Sequence, residues 1–383
     1  MSKFTRVILL NFALLMCFSV VGCGKDQVEP FREPTQTPAS SVTATGTPAG
    51  SQDATKPTAN VPTKAPTKAP SVTTPTKKPV ATPAATPTVV EGEGAVLYQV
   101  AVKDALSMSY VIRTKNNKII VIDGGGDSNS GTFAGKKYPK KEIDELLRVL
   151  REATGQQVPT IDAWILTHCH SDHINAFSHM SSNMKGTVKV KKVYYNFPTD
   201  SYMYQFGEMG TDSDSTLSKF KKAIATYSDN QIVIVQKGAS YTVDNVTFNI
   251  ILTPEENNVS LRSNAINESS IVFDMKLGGQ RVLFLGDLGP FSSTRFRNAM
   301  RRTESPFVDV VQMAHHGSQG ILKEYYWTLE PKVCLWPTPD WLWMNTENGL
   351  ETKDVYNYLV SKGVRKHYVM KDGTVKLTFP LSI

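Results

Sequence analysis

Three of the seven histidines fall in the six residues His168-Cys169-His170-Ser171-Asp172-His173, directly after the apolar run at 163–167. So much ligand chemistry at one strand end demands a fold that gathers several strand ends in one place. In an extended backbone alternate side chains share a side, so His168 and His170 can converge on one ion. Asp172 and His173, entering the next helix, can reach a second, while Cys169 faces away. Imidazole and carboxylate suit zinc or manganese, and three or four protein ligands leave a position for water, which is a catalytic pattern.

Two later segments end apolar strands in further ligand groups: Phe284-Leu285-Gly286-Asp287 and Ala314-His315-His316-Gly317-Ser318. Spacing leaves open which of His315 and His316 binds metal. The other would orient substrate or protonate a leaving group.

The segment HCHSDH resembles the HxHxDH signature of the metallo-β-lactamase superfamily, and Asp287 resembles its metal-bridging aspartate. Ile122-Asp123-Gly124-Gly125, Asn267-Glu268-Ser269-Ser270 and HHGS at 315–318 resemble the competence-type branch. That branch includes the nuclease-like domain of the DNA-uptake channel and choline-phosphate esterases acting on teichoic acid. The resemblance implies an α+β fold, an αββα sandwich, with one or two zinc ions held among His168, His170, Asp172, His173, Asp287, His315 and His316. It also implies a hydrolase in which metal lowers the pKa of bound water, with Asp172, His315 and His316 as catalytic groups. One departure is that superfamily members commonly supply another histidine between the signature and the bridging aspartate. Here only His179 lies in that interval, close to the signature, so the first ion is expected on His168, His170, Asp287 and water or a non-histidine group such as Asn196. Asp123 is expected to support the site from behind. The cluster Trp336, Trp341 and Trp343 reads equally as packing or as a substrate wall.

Apolar runs at 96–102, 109–114, 118–123, 163–167, 191–197, 247–252, 270–275, 281–286, 308–313, 332–336 and 366–379 predict strands. Amphipathic stretches at 140–154, 217–227 and 352–363 predict helices. The interleaving alone allows a doubly wound sheet or two face-to-face sheets, and the motifs favour the second.

Residues 1–22 have the layout of an export signal, with Lys3 and Arg6 ahead of an apolar run too short to span a bilayer. Val20-Val21-Gly22-Cys23 resembles the bacterial lipobox, which implies lipidation at Cys23 and a place on the extracellular face of the cytoplasmic membrane. Residues 23–94 form a Thr/Pro/Ala-rich tether: 12 of the 22 prolines lie there, and few large apolar groups offset the entropy of ordering it. Residues 95–383 make one domain. Cys169 and Cys334 are the thiols left after processing, so no disulfide framework is implied. The formal charge of +7 falls to +5 when Lys3 and Arg6 leave, too modest to argue for nucleic acid by itself. The expected function is an extracellular phosphodiesterase acting on DNA or a wall polymer, with no protein partner. The alternative is a noncatalytic, metal-containing surface protein that binds a wall polymer.

Overall fold

The computed structural model describes residues 90–126, 132–133, 136–137, 141–205, 212–255 and 264–383. The signal, Cys23 and the tether up to residue 89 lie outside the described residues. The strands, in chain order, are β1 Val96–Gln99, β2 Ser109–Arg113, β3 Ile119–Asp123, β4 Thr132–Phe133, β5 Lys136–Lys137, β6 Thr160–Ile161, β7 Ala163–Ile165, β8 Lys189–Val190 and β9 Val193–Tyr195. They continue with β10 Ile232–Ile234, β11 Ser240–Val243, β12 Val246–Leu252, β13 Val272–Leu277, β14 Gln280–Phe284, β15 Val310–Gln312, β16 Val333–Trp336, β17 Lys366–Val369 and β18 Val375–Thr378. The helices are α1 Lys141–Thr154, α2 Ser171–Asn183, α3 Asp200–Gln205, α4 Asp212–Ile224, α5 Ala265–Glu268, α6 Ser293–Met300, α7 Lys323–Trp327 and α8 Thr352–Ser361.

Two seven-stranded sheets result, ordered β10-β9-β7-β3-β2-β1-β18 and β11-β12-β13-β14-β15-β16-β17. Alternation along the strands explains the layering. Ile120 and Ile122 of β3 join Phe248, Phe273, Phe284 and Leu335 of the second sheet in the central core. Val121, between them, turns outward to join Trp164 and the α1 and α2 residues Leu146, Leu150 and Phe177. On the far side, Leu283, Val311 and Cys334 meet Phe296, Tyr326 and Leu359 from α6, α7 and α8. The product is an α+β sandwich of four layers, αββα.

The single strand expected at 366–379 is two strands in opposite sheets. β17 completes the second and β18 the first, with the chain crossing over through a 3-10 turn and Gly373 at φ 105°. The apolar pattern continues across the break, so only the Asp372-Gly373 turn chemistry marks it. Residues 90–94, assigned from composition to the tether, already bond with the domain: the Gly92 amide donates to Asn245 O at 2.9 Å, and its carbonyl accepts from Gly278 at 2.8 Å. Cys169 and Cys334 are buried free thiols. Among the described residues no helix is long and apolar enough to cross a membrane.

Candidate metal centre

β3 pairs in parallel with β7, and β14 with β15, so their carboxyl ends open at one end of the sandwich. Asp123 ends β3, His168 follows β7, Asp287 follows β14, and His315-His316 follows β15. The turns that aim them use left-handed backbone: Gly286 at φ 56°, and His315, His316 and Gly317 in succession at 49°, 56° and 82°. Two consecutive L residues in that region, followed by a glycine, are costly and mark a place where surrounding packing dictates the backbone. Gly317 has no room for a side chain, since a Cβ there would stand 2.5 Å from the Trp336 ring.

Asp172, His173, Asp287 and His316 present ligand atoms that all lie within 4.8 Å of one another. His316 Nε2 is 3.0 Å from Asp172 Oδ2 and 3.5 Å from Asp287 Oδ2, and His173 Nε2 is 3.1 Å from Asp287 Oδ2. Each imidazole is fixed from behind through Nδ1. That of His173 lies 2.7 Å from Asp123 Oδ2, and that of His316 lies 2.7 Å from Pro337 O. Asp123 also accepts the Thr167 amide and hydroxyl, both at 2.7 Å. Such outer partners fix the tautomer and aim Nε2 at the ion.

The electrostatics follow from burial and crowding. Burial alone would lower the His316 imidazole, but Asp287 and Asp172 lift it to about 9. His173 rises for the same reason, against burial, beside Asp287, Asp172 and Asp123. Burial would raise Asp172 and Asp287, yet the facing histidines hold both carboxyls below the usual range. Burial depresses His168, His170 and His315, His170 to about 4, and leaves them neutral.

His168 and His170 stand beside this cluster, their rings 4.9 Å apart, and His168 Nε2 is 3.7 Å from Asp287 Oδ2. His168 Nε2, Asp287 Oδ1 and His315 Nδ1 are buried without hydrogen-bond partners. Neutral imidazoles and carboxylates turned inward with lone pairs unused fit a divalent cation. Cys169 turns away as expected, its Sγ 3.7 Å from Met203 Sδ in the helix-side core. Asn196 does not join the contacts described among these groups, and its amide donates to Val235 O at 2.8 Å. Trp336 is fully buried and packs on Trp343 at 5.2 Å, whereas Trp341 is 37% exposed. The first two are therefore packing.

Sequence reasoning picked out Glu268 and Ser270 only through a family likeness, without a role, and missed Gln312; all three hold the loops. Glu268 accepts the Phe291 and Ser292 amides, Ser270 Oγ accepts the Asp287 amide, and Gln312 clamps Leu285 N, Gly286 O and Met313 O. A glutamine at the end of an apolar strand is the signal that pointed to Gln312.

The family model for the metallo-beta-lactamase superfamily matches residues 103–256. Over those residues the chain is similar to that superfamily. The match includes the signature but ends before Asp287 and His316, which join the site by geometry. ComE operon protein 3 of Bacillus subtilis (strain 168) is 24% identical over 220 residues, covering 56% of this chain and 25% of that protein. The chain thus spans about a quarter of that relative's length. The metallo-beta-lactamase fold protein YhfI from Bacillus subtilis aligns over 74% of this chain and 100% of its own, at 11% identity and TM-score 0.43. CmlA, a diiron beta-hydroxylase from Streptomyces venezuelae, aligns over 75% of this chain and 54% of its own, at 14% identity and TM-score 0.44.

Proposed function

We propose that this metallo-beta-lactamase domain is a zinc- or manganese-dependent phosphodiesterase acting on DNA or a wall phosphodiester polymer, anchored outside the cell by lipid on Cys23. The observation that carries the reading is the four-residue cluster, with Nε2 of His173 and His316 aimed at two carboxylates from fixed rings. When bound, divalent metal acidifies water and offsets charge on an attacked phosphate. Asp172 is the open member of the cluster, its side chain 21% exposed against 0–2% for His173, Asp287 and His316. Substrate therefore meets Asp172 first. Held low by its histidine neighbours, its carboxylate is a poor base, so it orients the attacking water and leaves the proton to another group. His315, half-buried beside His316 and outside the four-residue cluster, is read as the group that meets the leaving group.

The test is hydrolysis of bis-p-nitrophenyl phosphate, a choline-phosphate ester and single-stranded DNA, with and without chelator. Asp172→Ala should lose roughly 100-fold or more, because a ligand and the orientation of the nucleophile go together. Cys169→Ser, whose thiol faces the helix-side core, should stay within a few-fold. An Asp172→Ala protein as active as wild type would end the reading. A loaded protein that cleaves none of the three would leave a noncatalytic binder of wall polymer.

A further inference from the structure

We infer that His367 is a positioning residue of the metal centre, acting through Trp336 on the turn that aims His316. The inference rests on the metal-centre reading above.

Three consecutive residues hold His316 from behind, and Trp336 is the first of them. Pro337 O lies 2.7 Å from His316 Nδ1, and Thr338 Oγ1 donates to the His316 carbonyl at 2.6 Å. The Trp336 ring fills the space under Gly317, where a Cβ would stand 2.5 Å from Cε3. Ring, carbonyl and hydroxyl leave the end of β16 together, so the seating of Trp336 sets where the other two stand. Gln99 Nε2 donates to the Trp336 carbonyl at 3.4 Å, which leaves the ring to be held through its indole N–H.

That N–H belongs to a fully buried side chain and can only donate. It donates to His367 Nδ1 at 3.1 Å, on the edge strand β17. An acceptor at Nδ1 requires the neutral imidazole with its proton on Nε2, and Nε2 faces Val364 O at 3.4 Å. Burial lowers the His367 imidazole from its ordinary 6.5, and Arg365 adds to this against the pull of Val364 O. The tautomer that can hold the indole is therefore the form present at neutral pH. The Tyr356 ring of α8 lies 4.7 Å from the imidazole and the Trp343 ring 5.2 Å from Trp336, so rings close around the pair. A valine or phenylalanine at 367 would satisfy that packing, but it would leave the buried indole proton without its acceptor.

The test compares two replacements in the full-length chain. His367→Phe keeps a ring and removes the acceptor, whereas His367→Asn keeps an acceptor, Oδ1, at the position of Nδ1. In chelated, isotope-labelled protein the Trp336 indole N–H resonance should move upfield in His367→Phe and stay near its wild-type place in His367→Asn. Titration with Zn²⁺ should show roughly 10-fold weaker uptake of the ion that His316 binds in His367→Phe, and uptake within a few-fold of wild type in His367→Asn. His367→Val, which removes the same acceptor from a smaller side chain, carries the same expectation if the larger ring prevents folding. Wild-type Zn²⁺ affinity in the variants lacking the acceptor, or equal weakening in His367→Asn, would overturn the inference and leave the metal centre standing. A wild type that takes up no cation would overturn the metal-centre reading and this inference with it.

Discussion

His173 and His316 carry protons that a cation must displace, which makes their role measurable. The folded value of His316, about 9, lies above its ordinary 6.5. In chelated protein its proton therefore stabilises the fold fully below about 6.5, and that contribution fades as pH rises through 9. Metal runs the other way, because Nε2 must be bare to bind. At pH 7.5, uptake of an ion by the cluster of Asp172, His173, Asp287 and His316 should release roughly two protons, one from each histidine, read by calorimetry in buffers of differing ionisation enthalpy. Chelated protein should also lose stability between pH 6.5 and 9, and His316→Gln should flatten that profile. Release near zero would remove both histidines from the ligand set. The residues that the structure gathers in one cluster were legible as candidates because carboxylates and imidazoles at strand ends have few other uses. The split between His315 and His316 was not, because it depends on a left-handed turn that no spacing rule encodes.

Elements were readable where the apolar period was clean, as in β3, β14 and α1, and unreadable where turn chemistry decides. The chain from 366 to 379 keeps its apolar texture while passing between sheets, and β10 and β11 are short edge strands with little pattern to find. The turn after β15 is the element that matters most to the site, since it bends through Gly317 with a Cβ position 2.5 Å from Trp336 Cε3. Gly317→Ala combines a left-handed alanine with an overlap against a fully buried ring. It should cost about 2–4 kcal/mol in urea unfolding and weaken metal binding through the displaced His316. A loss under about 0.5 kcal/mol would mean that the turn moves freely and does not dictate where His316 points.

For the whole molecule, the composition shift lies at residue 94, and the bonding pattern of the described domain begins earlier. Glu91 and Gly92 accept the Gly279 and Gly278 amides at 2.8 Å, capping the hairpin between β13 and β14. Gly92 is required there, at φ 68° with a Cβ position 2.1 Å from Lys276 O. That hairpin lies at the opposite end of β14 from Asp287, about 17 Å away at the usual rise of a five-residue strand. Residues 91 and 92 thus sit at the pole away from the metal centre. A chain beginning at Thr88 should unfold with the full-length midpoint, because it keeps these bonds. One beginning at Ala95 strips them from two hairpin amides and should lose about 1–3 kcal/mol. Its metal stoichiometry should not change, since the lost contacts lie at the far end of the strands. Equal stability of the two would show that residues 91–94 rest on the hairpin without holding it. A change in stoichiometry would show that the two poles communicate through β13 and β14.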